Sequence, residues 1–236
     1  MAINDLPKYK DIRGSIRRNG RYPVVGTAIK DTHVVHHSMT AQHLKGSTPQ
    51  AFANTHIDTN KWPGIAYAFV IMPDGTIYQC DDLDRRTYHA GDINTRSIGT
   101  CLVGDFRKEG AAEKPTAEQM QSLYLLNKEL YKVLSNMKIT LGHQECPGYA
   151  WKNCPGDTWN YKDVISGKIL ISEKKEEPKV AERDIDKVSD WAKKDWEEAI
   201  ANGYFDGTRP GSPFTREEAA IVINRLRKNL LELISK

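Results

Sequence analysis

The sequence is short of several things, and each shortage closes off a class of protein. No stretch of its 236 residues reaches the run of about eighteen apolar residues that a membrane-spanning helix needs. The opening residues, MAINDLPKYKDIRG, lack the apolar core of a secretory signal peptide, so the chain is expected to be made in the cytoplasm. Nowhere do about five or six basic residues stand together. The formal net charge is only +3, so no nucleic-acid tract is expected. Cysteine is scarce, at Cys80, Cys101, Cys146 and Cys154. In a reducing compartment these do not make a disulfide framework, which leaves core packing or metal binding, with packing the default for Cys80 and Cys101. A paired-carboxylate arrangement of the kind muramidases use is not evident either.

What is present is a packable composition, 39% hydrophobic and 28% charged. The length allows one full-sized domain and a small one. Composition shifts near residue 166, where SGKIL gives way to the charged, Pro-containing SEKKEEPKVAERDIDK. This predicts three regions: a domain over 1–165, a linker over 166–185 and a small helical module over 186–236.

The first region alternates strand and helix signals. THVVHH begins as a buried strand, and TPQAFANTHIDTN reads as a helix with Thr48 as N-cap and Pro49 at its first position. AYAFVIMPDGTIYQC reads as a hairpin about Pro-Asp-Gly, SIGTCLVGDF as a central strand, and KITLGH as a further strand. PTAEQMQSLYLLNKELYKVLSN is the clearest helix, with a Thr116/Gln119 capping box and an expected inner stripe of Met120, Leu123, Tyr124, Tyr131 and Leu134. The fold class implied is α/β, a central mixed sheet flanked by helices. In the tail, SDWAKKDWEEAIANG predicts a helix with Trp191, Ala192, Trp196, Ala199 and Ile200 inward and Gly203 as its stop. A second helix is expected from Thr215, with Glu218 completing a capping box. With so few apolar anchors this module is marginal as an independent fold.

Three strand or loop ends carry metal-ligand types: VVHHS, TLGHQE and KNCPGD. Two histidines, a cysteine and an open fourth position make a workable catalytic zinc shell. Spacing alone matches no local zinc signature and leaves open which residues would take part.

VVHHS, WPGIAYAFVIMPDGTIYQ, YHAGDINTRSIGTCLVGDF, LGH and CPGD, in that order over roughly residues 20–162, resemble the type-2 N-acetylmuramoyl-L-alanine amidases. That family includes phage endolysins and peptidoglycan recognition proteins. The resemblance implies one catalytic Zn2+ held by His36, His143 and Cys154, with Cys146, in a second Cys-Pro-Gly triplet, outside the site. His33 and His37 face away from His36 by strand alternation and are expected to pack or support it. The resemblance further implies Tyr67 as a catalytic tyrosine, Lys152 as a charge-stabilising lysine, and His89 and Asn94 at a substrate groove. Ala68 and Cys101 depart from the family's pattern, where relatives often carry histidine at the first place and some branches carry an acidic residue at the second.

The implied activity is hydrolysis of the amide between N-acetylmuramic acid and L-alanine of peptidoglycan. DWAKKDWEEAIANGYFDGTRPGSPFTREEAAIVINRL is similar to a single S-layer-homology repeat. That similarity implies binding of a secondary cell-wall polymer through Arg216. Together the two resemblances imply an endolysin of a phage or prophage of a Gram-positive host, acting on the wall after release. The alternative is a non-catalytic peptidoglycan-binding protein of the same fold. Such relatives typically lack the cysteine ligand, whereas this chain has Cys154.

Overall fold

A computed structural model of the chain describes residues 2–168, 188, 190–208 and 216–234. Its contacts divide the chain into two units, Met1–Lys174 and Lys175–Lys236.

The first unit is built on six strands: β1 (Tyr9–Asp11), β2 (Thr32–His37), β3 (Phe69–Ile71), β4 (Ile77–Gln79), β5 (Ser97–Leu102) and β6 (Ile139–Gly142). They lie in the order β1-β4-β3-β5-β2-β6. Every neighbouring pair is parallel except the β3–β4 hairpin. Every residue of β2 and β5 is buried, as expected of central strands covered on both faces. The hairpin turns at Asp74 and Gly75, where the Asp74 carboxylate accepts from the Thr76 amide and hydroxyl. Gly75 sits at φ +82°, a left-handed position natural to glycine. The edge strand β1, Tyr-Lys-Asp, carries no apolar alternation, so its sequence gives no strand signal.

Helices cover both faces. On one, α1 (Pro49–Asp58) starts at Thr48, whose hydroxyl accepts from the Ala51 amide, and it packs Ala53 against Val70, Cys80, Cys101 and Val103. On the other, α2 (Ala117–Val133) begins in the Thr116/Gln119 capping box and seats Leu123, Leu126 and Leu130 against Val35, Phe69 and Ile71. Each such leucine contributes about 2 kcal/mol of burial. The inner stripe of α2 differs from the sequence expectation: Leu126 and Leu130 are buried, while Tyr131 is 38% exposed. Polar Gln119 and Asn127 share the inner face, so hydrophobicity misplaced it. Gln119 donates to the Ile71 and Val103 carbonyls, and Asn127 meets His33. A short α3 (Tyr161–Ile165) closes the unit against α2.

The second unit holds a 3-10 turn (Asp190–Ala192), α4 (Lys193–Ala201) and α5 (Arg216–Ile234). Gly203, at φ +71°, ends α4 and donates to the Ile200 carbonyl. Arg225 of α5 donates to the Gly203 and Tyr204 carbonyls, and Trp196 stacks on Phe205 at 5.0 Å. Of the residues expected inward, Ala192, Trp196 and Ala199 are half-buried and Ile200 is 37% exposed. No described residue of this unit is buried. The Trp191 side chain, the Thr215/Glu218 cap and residues 169–185 of the expected linker lie outside the described residues. Among the described residues, no helix is long and apolar enough to cross a membrane.

Candidate metal centre

β2 and β6 run parallel with Val35 level with Gly142. One step further, the two strand ends carry His36 and His143, so register brings together imidazoles 107 residues apart, Nδ1 to Nδ1 at 3.1 Å. The loop bearing Cys154 is tied down by His37, whose Nε2 donates to the Asn153 carbonyl while Nδ1 accepts from the Phe106 amide. The Cys154 carbonyl accepts from the Gln144 amide at 2.8 Å. The Cys154 Sγ thereby lies 3.9 Å from His36 Nδ1. Ligand atoms of His36, His143 and Cys154 all fall within 4.8 Å of one another, and all three residues are buried.

This donor set fits a metal ion. In a tetrahedral zinc shell two nitrogens stand about 3.3 Å apart, and nitrogen and sulfur about 3.6 Å, close to the observed spacings. Without a cation one nitrogen donates to the other; with both rings protonated on Nε2 instead, the two facing lone pairs are free to ligate a cation. His143 Nε2 is buried without a hydrogen-bond partner, so this ring is not locked by protein groups on its other side.

The electrostatics agree. Burial, helped by the charges of His143, His89 and Lys152, holds His36 well below its ordinary pKa. Burial, with Lys152, lowers His143 to about 4. Both rings are therefore neutral near pH 7 and able to ligate. Burial raises the Cys154 thiol to about 12, against the opposing effects of the His37 backbone amide and Lys152.

Tyr67 packs beside the trio, its ring 5.2 Å from that of His36 and 5.7 Å from that of His56. Burial and the neighbouring thiols of Cys101 and Cys154 push its phenol well above the ordinary value, so it is protonated. Lys152 Nζ lies 5.3 Å from the Tyr149 ring and 5.1 Å from the Trp151 ring. Tyr149 in turn packs 4.4 Å from His143. Trp151 is 78% exposed beside this group. Both aromatics precede Lys152 in YAWK, a stretch with no local signal for a role at the site.

The remaining candidates have other surroundings. Cys146 packs with Val34 and Ala90, its thiol facing the Gly142 carbonyl. Cys80 and Cys101 sit in the core beneath α1. His33 bridges Asn127 and Thr100. A place for His89 on a substrate groove does not fit its position. It is 7% exposed, with its ring nitrogens engaged by His36 and Ser97. Asn94 is half-buried, its Oδ1 accepting from the His89 and Ala90 amides. Arg216 opens α5, but its side chain lies outside the described residues.

The fold and the trio define a mixed α/β protein with a buried His-His-Cys group, of a kind that could hold a metal ion, beside the carboxyl ends of two parallel strands. Known structures share this architecture. The endolysin N-acetylmuramoyl-L-alanine amidase LysCS of Clostridium intestinale superposes with a TM-score of 0.56 at 24% identity, covering 70% of this chain and 98% of that one. The Drosophila peptidoglycan recognition protein SD gives 0.54 at 19%, covering 64% and 89%. In sequence, the endolysin of Klebsiella phage KP32 is 36% identical over 111 residues, 44% of this chain and 70% of that protein. Peptidoglycan-recognition protein SC1a of Drosophila melanogaster is 30% identical over 119 residues, 48% of this chain; the match spans 62% of that protein's length. Residues 27–157 match the N-acetylmuramoyl-L-alanine amidase family, and the chain belongs to it.

Proposed function

We propose that this chain is an endolysin-type, zinc-dependent N-acetylmuramoyl-L-alanine amidase that cleaves the bond between N-acetylmuramic acid and L-alanine in the walls of Gram-positive cells. The observation that carries this reading is the buried trio of His36, His143 and Cys154, whose donors fit a catalytic zinc site with an open position. Zinc held there would supply Lewis acidity, polarising the scissile carbonyl and bringing the pKa of water down towards about 7.

The chain's own groups do the rest. His36 and His143, held neutral by burial, offer lone pairs, and Cys154 offers sulfur. Tyr67 keeps its phenolic proton, which suits it to donate a hydrogen bond and orient the attacking water rather than to act as a base. The Lys152 ammonium, held near the Tyr149 and Trp151 rings, opposes the negative charge that grows on the carbonyl oxygen.

Digestion of purified peptidoglycan followed by mass spectrometry tests the activity. The expected products are free L-alanine amino termini, lost when a chelator is added; new reducing sugar ends would refute it. The likeness of residues 186–236 to an S-layer-homology repeat supports a second role, anchoring on a secondary wall polymer through Arg216 by guanidinium–anion pairing. Removal of residues 170–236 is expected to weaken sedimentation with whole walls while sparing cleavage of soluble muropeptides. Unchanged sedimentation would remove the targeting role.

A further inference from the structure

Behind His36 lies a buried chain of polar groups whose protons can be counted. Ser97 Oγ stands 2.7 Å from the Ile93 carbonyl oxygen and 3.0 Å from His89 Nε2. Two oxygens at 2.7 Å need a proton between them, and the only one is the serine's own. Ser97 Oγ can then only accept from His89, so His89 carries its proton on Nε2. In the neutral ring His89 Nδ1 is left with a lone pair, and it lies 3.0 Å from His36 Nε2. His36 must therefore donate there, which keeps its Nδ1 unprotonated. That Nδ1 is the atom facing His143 and Cys154.

The fold is shaped to hold this arrangement. Gly99, inside β5, has no side chain where the His89 ring lies; a Cβ there would come within 2.7 Å of His89 Cγ and 2.8 Å of Nδ1. A glycine within a central strand is costly unless another group must approach the backbone closely. Asn94 fixes the backbone that carries His89 by accepting from two successive amides. The fully buried Lys30 ammonium holds the Ser97 carbonyl from below at 3.0 Å.

We infer that His89, seated in the space left by Gly99 and oriented by Ser97, is a positioning residue that locks the His36 tautomer and so presets Nδ1 as a metal-ligand atom. This rests on reading the trio as a metal centre. It contacts neither substrate nor metal, and its contribution is to metal affinity: removing such a partner typically costs about 10- to 100-fold.

Two measurements test it, neither of them of hydrolysis. Long-range 1H–15N spectra of the histidine rings in the metal-free wild type are expected to show both His36 and His89 protonated at Nε2. Finding His36 protonated at Nδ1 overturns the inference whether or not the protein hydrolyses anything. Zinc affinity by competition with a chromophoric chelator is expected to fall about 10- to 100-fold in His89→Ala and Gly99→Ala. Loss should be smaller in His89→Asn, whose Oδ1 can still accept from His36. Circular dichroism and urea midpoints identify variants that have merely unfolded; if His89→Ala is among them, Gly99→Ala and His89→Asn decide. Wild-type affinity in the folded variants overturns the inference. A wild type that binds no zinc sinks the metal-centre reading instead, and the ring spectra still decide the tautomer.

Discussion

Cys154→Ala is expected to abolish zinc retention and peptidoglycan hydrolysis, while Cys146→Ala leaves both intact. The two cysteines each open a Cys-Pro-Gly triplet and both are buried, so composition does not separate them. Their surroundings do. The Cys154 sulfur faces His36 Nδ1 at 3.9 Å, whereas Cys146 packs on Val34 and Ala90 with its thiol towards a carbonyl. In closed zinc sites about 10–16 kcal/mol is shared among four ligands, so losing the one anionic ligand here should weaken binding at least a hundred- to thousandfold, roughly. Cys146→Ala removes one buried sulfur and should cost roughly 1 kcal/mol of stability.

A second readout comes with the first. The Cys154 thiol, pushed up to about 12 by burial, is protonated at neutral pH, whereas His36 and His143 are already neutral. Zinc binding should therefore expel close to one proton, and apparent affinity should rise about tenfold per pH unit near neutrality. Calorimetry in buffers of differing ionisation heat measures that proton. Retained zinc and lysis in Cys154→Ala, with loss in Cys146→Ala, would reverse the assignment of the triplets.

The metal-free protein is expected to lose several kcal/mol of stability between pH 7 and pH 5. Burial holds His33, His37 and His56 down to about 4, and His89 to about 3. An unfolded chain takes up these protons near pH 6.5, and the folded protein refuses them. The stabilisation is thus fully present above about 6.5 and is lost as pH falls towards the folded values. Each histidine costs up to about 1.4 kcal/mol per pH unit in that window. Four together reach about 8 kcal/mol by pH 5 as an upper bound, comparable with the whole stability of a typical domain. Depressed carboxylates act elsewhere. Asp105, held down mainly by its hydrogen bond from Arg107, loses its contribution only below the ordinary carboxylate range. Urea midpoints from pH 7 to 5 measure the effect, and a flat profile would show that these rings are not held neutral by the fold.

Local signals were strong where one segment's chemistry decides its own shape. The Thr48–Pro49 start of α1, the Thr116/Gln119 box of α2 and the Asp74–Gly75 turn each satisfy backbone groups from within a few residues, so each was legible. The continuous apolar run of β5 announced a central strand for the same reason. Local chemistry failed where a polar side chain spends its hydrogen bonds inside the core. Gln119 and Asn127 turned the inner face of α2 away from Tyr131. The family resemblance placed His89 and Asn94 at a groove, but no local signal shows that the His89 ring is spent on His36 and Ser97, or the Asn94 oxygen on two backbone amides. The tail offers apolar residues at helical spacing, and none of those described is buried.

By itself, then, the sequence determined the central strands and the helices α1 and α2 with their caps and turns, and through ordered motifs the candidates His36, His143 and Cys154. The tertiary structure alone decided that they meet: a register shared by β2 and β6 sets His36 and His143 level whatever chain length lies between them, and hydrogen bonds from His37 and Gln144 bring in the loop of Cys154. It also sets which nitrogen of His36 is left unprotonated, since that depends on the hydrogen bonds of His89 and Ser97, beyond the reach of any local pattern.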